Sequence, residues 1–185
     1  MITREAVLQA TRAELLRLLC EGHPIDAATL DDTEYKGISL GLPAFIERLS
    51  WKTFTKTFHR DPATGHLRGW NVRMEQTGID GPRVPMKKKG EIFTFGHYGV
   101  VDARGRKMPA PCDQGLLIDY GLGHNAATDA MRFMRDPLVS LDPGKSDRLL
   151  GWSYVEIGPL RLGTPSFFLL ERAGRLSHHA RPARG

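Results

Sequence analysis

Trp51-Lys-Thr-Phe-Thr-Lys-Thr-Phe-His-Arg60, followed by Asp61-Pro-Ala-Thr-Gly65 and then His66-Leu-Arg-Gly-Trp-Asn-Val-Arg-Met-Glu75, is the stretch that decides the fold. Thr53, Thr55 and Thr57 alternate with Phe54, Lys56 and Phe58. β-Branched threonines favour a pleated strand over a helix, and the two-residue period puts Lys52 and Lys56 on the face of Phe54 and Phe58. Asp61-Pro-Ala-Thr-Gly65 has the chemistry of a turn. The return run places Trp70, Val72 and Met74 on one side, Asn71 and Arg73 on the other. The whole reads as a β-hairpin.

Moving outward, the same grammar recurs. Residues 34–40 read as a strand, and Pro43 opens a short helix to about Ser50. Thr77 to Gly90 is a Gly/Pro/Lys loop. Glu91 to Val101 is an aromatic strand with Phe93, Phe95 and His97 on one face and Ile92, Thr94 and Tyr98 on the other. Further strands fall at 116–120, 137–142, 148–157 and 166–172, and a short helix at about 126–134. Leu150, Trp152 and Tyr154 share a face of the strand at 148–157. A helix from about Thr3 to Glu21 precedes them all, its apolar face formed by Val7, Leu8, Leu15, Leu18 and Leu19. About eight strands joined by turns predict a mainly β protein: an antiparallel meander forming a closed or nearly closed barrel. The helix is expected to plug or flank one end. The expected division is an N-terminal helix and lead-in at 1–32, a barrel at 33–173, and a flexible basic tail at 174–185.

With 185 residues, 41% apolar and 25% charged, the composition is that of a globular domain. No run approaches the roughly 18–20 apolar residues that span a bilayer. The first residues carry charges at Arg4, Glu5, Arg12, Glu14 and Arg17, which leaves no uninterrupted signal-peptide core, so a cytoplasmic location is expected. The net charge of +5 is dispersed. Its densest cluster, Lys87-Lys88-Lys89, has no interleaved aromatic residues, so nucleic-acid binding is disfavoured. Cys20 and Cys112 match no metal or redox spacing and read as two free thiols.

Polar chemistry concentrates in Gly115-Leu-Leu-Ile-Asp-Tyr-Gly-Leu-Gly-His-Asn125. Gly121-Leu-Gly-His-Asn-Ala126 matches a loose dinucleotide fingerprint, and Gly37-Ile-Ser-Leu-Gly41 matches the nucleophile elbow. Both motifs belong to parallel sheets with alternating helices, which this chain lacks. No histidine pair has a recognised ligand spacing, so neither a metal nor a cofactor is expected. His59 and His66 read as neighbours across the hairpin, and His178-His179 as solvated.

Glu34-Tyr-Lys-Gly-Ile38, residues 52–58, Leu117 to Asn125, Arg135-Asp-Pro-Leu-Val139 and Leu149 through Arg172 resemble a family of uncharacterised bacterial proteins that is lipocalin-like (a calycin-type β-barrel) in appearance. The likeness spans about residues 33–172. It implies one continuous barrel domain and brings no activity with it.

In such a barrel one face of each strand points inward. An apolar wall could come from Trp70, Phe93, Phe95, Trp152 and Phe168. Polar points could come from Lys56, Asn71, His97, Tyr98, Asp119, Tyr120, His124, Asn125 and Tyr154. Adjacent strand residues face opposite ways, so either Asp119 or Tyr120 points inward, not both. The leading expectation is a pocket for a small hydrophobic molecule, an acidic one among the options. The alternative is a cofactor-independent acid/base enzyme (isomerase, dehydratase or cyclase) using Asp119, Tyr120 and His97. A third option gives these polar groups only backbone hydrogen bonds to make.

Overall fold

The computed structural model describes residues 2–41 and 52–180, which leaves the helix expected at 43–50 outside the described residues. Ten strands form among the described residues: β1 (Thr33–Leu40), β2 (Thr53–Arg60), β3 (Leu67–Arg73), β4 (Lys87–Lys88), β5 (Glu91–Ile92), β6 (Thr94–Asp102), β7 (Leu116–Asp119), β8 (Met134–Ser140), β9 (Arg148–Ile157) and β10 (Leu160–Arg175). Eight of them close a barrel in the order β1-β2-β3-β6-β7-β8-β9-β10, with β10 returning to β1. Every pairing is antiparallel. This is the expected eight-stranded meander, fully closed. Closure removes the unpaired edges that would otherwise recruit other strands. β4 and β5 form a small ribbon outside the barrel.

The N-terminal helix is two helices, α1 (Arg4–Gln9) and α2 (Arg12–Glu21). Thr11 breaks them. Its side chain accepts from the Glu14 amide, and Glu14 reaches back to the Thr11 amide, a reciprocal cap that starts a new helix. The pair does not plug the barrel. Val7, Leu15 and Leu19 lie on the outer wall against Ile38, Val139, Leu150, Trp152, Phe167 and Leu169. The lead-in does the plugging: Ile25 and Leu30 join the interior cluster. At residues 120–134 only short 3-10 turns form, at Tyr120–Leu122 and Ala130–Phe133. The two cysteines, 92 residues apart in sequence, meet where α2 ends, with their sulfurs 2.6 Å apart.

The interior has two unlike ends. Tyr35, Phe58, Leu67, Tyr98, Leu116, Ile118, Leu138, Leu149 and Leu170 fill one with the lead-in. The other end is lined by polar and aromatic side chains around a cavity.

Candidate functional site

The alternation of β2 carries Phe54, Lys56 and Phe58 inward, as the hairpin reading requires. β8 brings Asp136 in, and Tyr120 enters just past the end of β7. Lys56 is 1% exposed and Asp136 2%. Lys56 Nζ donates to Tyr120 Oη at 2.8 Å and to Asp136 Oδ2 at 3.3 Å. Tyr120 Oη donates to the same Oδ2 at 3.0 Å. The ammonium also lies 4.7 Å from the ring centroid of Tyr98, 4.9 Å from Phe168 and 5.2 Å from Tyr120, where the negative ring faces attract it. Asn71 Nδ2 donates to the Gly96 carbonyl and stands 3.5 Å from Tyr120 Oη.

Lys56, Asn71, Tyr120 and Asp136 line a cavity of about 130 Å³ together with Phe54, Phe95, Met131, Phe168 and three serines, Ser39, Ser153 and Ser166. Asp136 Oδ1 is buried there with no hydrogen-bond partner among the described residues. A buried carboxylate oxygen left without a donor is costly and uncommon.

Burial sets the electrostatics. It pushes the Lys56 amine down, against the pull of Asp136 that favours the ammonium. The Tyr120 phenol is raised well above its ordinary range, first by burial, then by Asp136 and Tyr98, with the Asn71 hydrogen bond opposing. Tyr98, which donates to the Thr57 carbonyl at 2.6 Å, is raised by burial and by Asp136. At neutral pH both phenols keep their protons and act as donors.

Of the residues singled out from sequence, Lys56, Asn71, Phe95, Tyr120 and Phe168 meet at the cavity, and Tyr98 lies beneath Lys56. Tyr120, not Asp119, faces inward. Asp119 lies on the outer wall, where Oδ1 accepts from the Gly121 amide at 2.8 Å and meets Arg135 Nε at 3.1 Å. It shares a pocket of about 220 Å³ with Arg106, Lys107, Tyr154, Glu156 and Arg161. Burial and Glu156 raise the Tyr154 phenol to about 12.

His97 also faces outward, which corrects its expected place in the cavity. Gly96 adopts φ +50°, and the β3–β6 register shifts between Gly69 and Asn71. This bulge inserts a residue into the alternation, so Phe95 and Tyr98 both point in while His97 points out. The His97 ring packs near Trp70, and burial, then Arg68, lowers its pKa to about 4.

Trp70 and Trp152 are outward too. Their outer walls are apolar because α1 and α2 cover Trp152, and Ala180 and Leu176 cover Trp70. Phe93 stands outside the cavity lining, beside Arg73 and Lys88. His124 is exposed with φ +53°.

Asn125 serves the site indirectly. Its Nδ2 donates to the carbonyls of His97 and Tyr120 at 2.7 and 2.8 Å, and Oδ1 accepts from the His97 amide at 3.0 Å. This clamp holds the Tyr120 turn to β6. Gly123 lets it close: a Cβ there would sit 1.7 Å from the His97 carbonyl oxygen. The two glycines that mimic a nucleotide loop therefore serve a tight turn.

Asp136 was missed by the sequence reading. Its only signal was a carboxylate at the start of an apolar strand, followed by Pro137, and nothing local indicates that it faces inward beside Lys56.

Comparison of the chain with protein-family models, with curated proteins and with solved structures returns no match. The closed eight-stranded antiparallel barrel is consistent with a lipocalin-like fold and compatible with ligand binding. No helix among the described residues is long and apolar enough to cross a membrane.

Proposed function

We propose that the protein binds a small, largely apolar molecule in the barrel cavity, with a hydroxyl or amine at its polar end. The observation that carries this reading is the unpartnered, buried Oδ1 of Asp136 in a cavity walled by Phe54, Phe95, Met131 and Phe168. The free polar atom is an acceptor, so a donor on the ligand suits it. A carboxylate would have to displace Asp136 from Lys56, because that ammonium is already paired. The volume of about 130 Å³ is close to the roughly 150 Å³ of an apolar protein cavity that holds benzene, which favours a single ring or a short branched chain.

Ligand-observed NMR with matched single-ring amines, alcohols and carboxylates tests this reading. Amines or alcohols should bind to the purified chain and lose affinity in Asp136→Asn. Preferential binding of the carboxylates, or equal binding to Asp136→Asn, overturns it.

The continuous contact from Lys56 through Tyr120 to Asp136 favours a second reading, acid/base catalysis on the same molecule. In it, Asp136 Oδ1 takes a proton from the substrate, and Tyr120 returns one and is reprotonated by Lys56. Tyr120→Phe separates the two readings, because it would abolish turnover yet leave a binding site.

A further inference from the structure

On the outer wall, outside the cavity lining, three side chains from separate segments converge. Asp32 sits in the turn before β1 with a left-handed backbone, φ +49°, which aspartate tolerates better than most residues. His59 projects outward near the end of β2. His179 comes from the segment after β10. Asp32 Oδ1 lies 2.7 Å from His59 Nδ1, and the His59 and His179 ring centroids are 4.5 Å apart. One donor atom from each of the three lies within 4.8 Å of the others.

The place of His179 is set from both sides. Before it, the Leu176 amide donates to the Asp32 carbonyl at 2.9 Å, and Ser177 donates to Glu34 through its hydroxyl at 2.9 Å. After it, Ala180 packs with Trp70, Val72 and Met74, and its carbonyl accepts from Arg68 at 3.0 Å. The neighbouring His178 ring rests against Trp70. The backbone that carries His179 is thus fastened to the wall that carries His59.

We propose that Asp32, His59 and His179 form a binding site for a borderline divalent transition-metal ion such as Zn²⁺ or Co²⁺. Two imidazoles and one carboxylate are the ligand chemistry that such ions take, and neither Mg²⁺ nor Ca²⁺ favours imidazole. Metal–ligand distances of about 2.0–2.2 Å set neighbouring donor atoms roughly 3 Å apart, so side-chain rotation of the exposed His179 completes the closure. Three protein donors leave coordination positions to water or an outside ligand. The ion would tie the last described residues to the turn before β1 and to β2.

The test uses the full chain, without an affinity tag and stripped by a chelator, titrated with Co²⁺ at pH 7.5 and followed by its visible d–d absorption and by calorimetry. Zn²⁺ should displace the Co²⁺. The expected result is one saturable ion per chain, with His59→Ala and His179→Ala each weakening binding at least about tenfold. His66→Ala, elsewhere on the hairpin, should leave it unchanged. His179 lies outside the strands, so its variant keeps the barrel, and an unchanged thermal melt checks this. Absence of one-equivalent binding, or full affinity in His179→Ala, overturns the proposal.

Discussion

The two ends of the barrel interior are built from the same strands and differ in almost everything else. At the closed end, Tyr35, Phe58, Ile118, Leu138, Leu149 and Leu170 pack together with Leu30 from the lead-in. At the cavity end, two or four residues further along each strand, the same faces carry Ser39, Lys56, Asn71, Asp136, Ser153 and Ser166. The first arrangement gains stability from buried apolar surface. The second loses it, because an ammonium and a carboxylate removed from water rarely recover the full desolvation cost from each other. A protein that keeps such a pair at one end while filling the other with leucine has separated the source of its stability from its chemistry.

The sharpest way to break this contrast is to remove one partner of the buried pair. Asp136→Ala leaves Lys56 buried without a counter-charge and should cost about 3–5 kcal/mol in urea denaturation. Replacing both with apolar residues, Lys56→Met with Asp136→Leu, should bring stability back to near that of the parent while ligand binding stays lost. If the double variant is as unstable as the single one, the polar end is contributing stability and the contrast fails.

A cut at the other end should do the reverse. Leu138→Ala should cost about 3 kcal/mol by opening a cavity in the packed end. Affinity at the Lys56–Tyr120–Asp136 end should stay unchanged when measured with the same ligand below the melting temperature.

The most gradual effect, spread over a pH range, concerns the wall between inside and outside. His97 has a folded pKa of about 4 against 6.5 for the free side chain. Above pH 6.5 it is neutral in both states, and its effect on stability is nil. Between pH 6.5 and 4 the unfolded chain binds the proton and the folded one does not, so stability falls as the pH falls. The slope should stay below about 1.4 kcal/mol per pH unit. His97→Gln should flatten this part of the stability–pH curve, as read by denaturation at several pH values. An unchanged curve would assign the acid sensitivity elsewhere.

Much of the architecture was legible in the sequence because its cause is local. The Thr/Phe alternation of residues 53–58, the turn at Asp61–Gly65 and the long run Arg148–Ile157 are written as period-two patterns, and the observed strands follow them closely. The helix break at Thr11 was missed, and one helix was expected there, although Thr11 and Glu14 have the local spacing of a reciprocal cap. Orientation was harder. Tyr120 inward and Asp119 outward differ by one residue, which pattern alone leaves open. His97 was misplaced because Gly96 takes a positive φ, and a single bulge reverses every face before it relative to every face after it. Trp70 and Trp152 were misplaced for another reason. Large apolar side chains signal burial, but a barrel covered by α1, α2 and residues 176–180 has buried surface on both sides of its wall.

The sequence by itself determined the strands, their turns and the antiparallel meander, because strand periodicity and turn chemistry act over a few residues. It also determined that Lys56 shares a face with Phe54 and Phe58. Only the tertiary structure decided that the barrel closes, which surface the helices cover, and that Asp136, 80 residues beyond Lys56, lies 3.3 Å from it. That meeting depends on the register of every intervening strand, and register is a sum over long-range pairings that no local stretch contains.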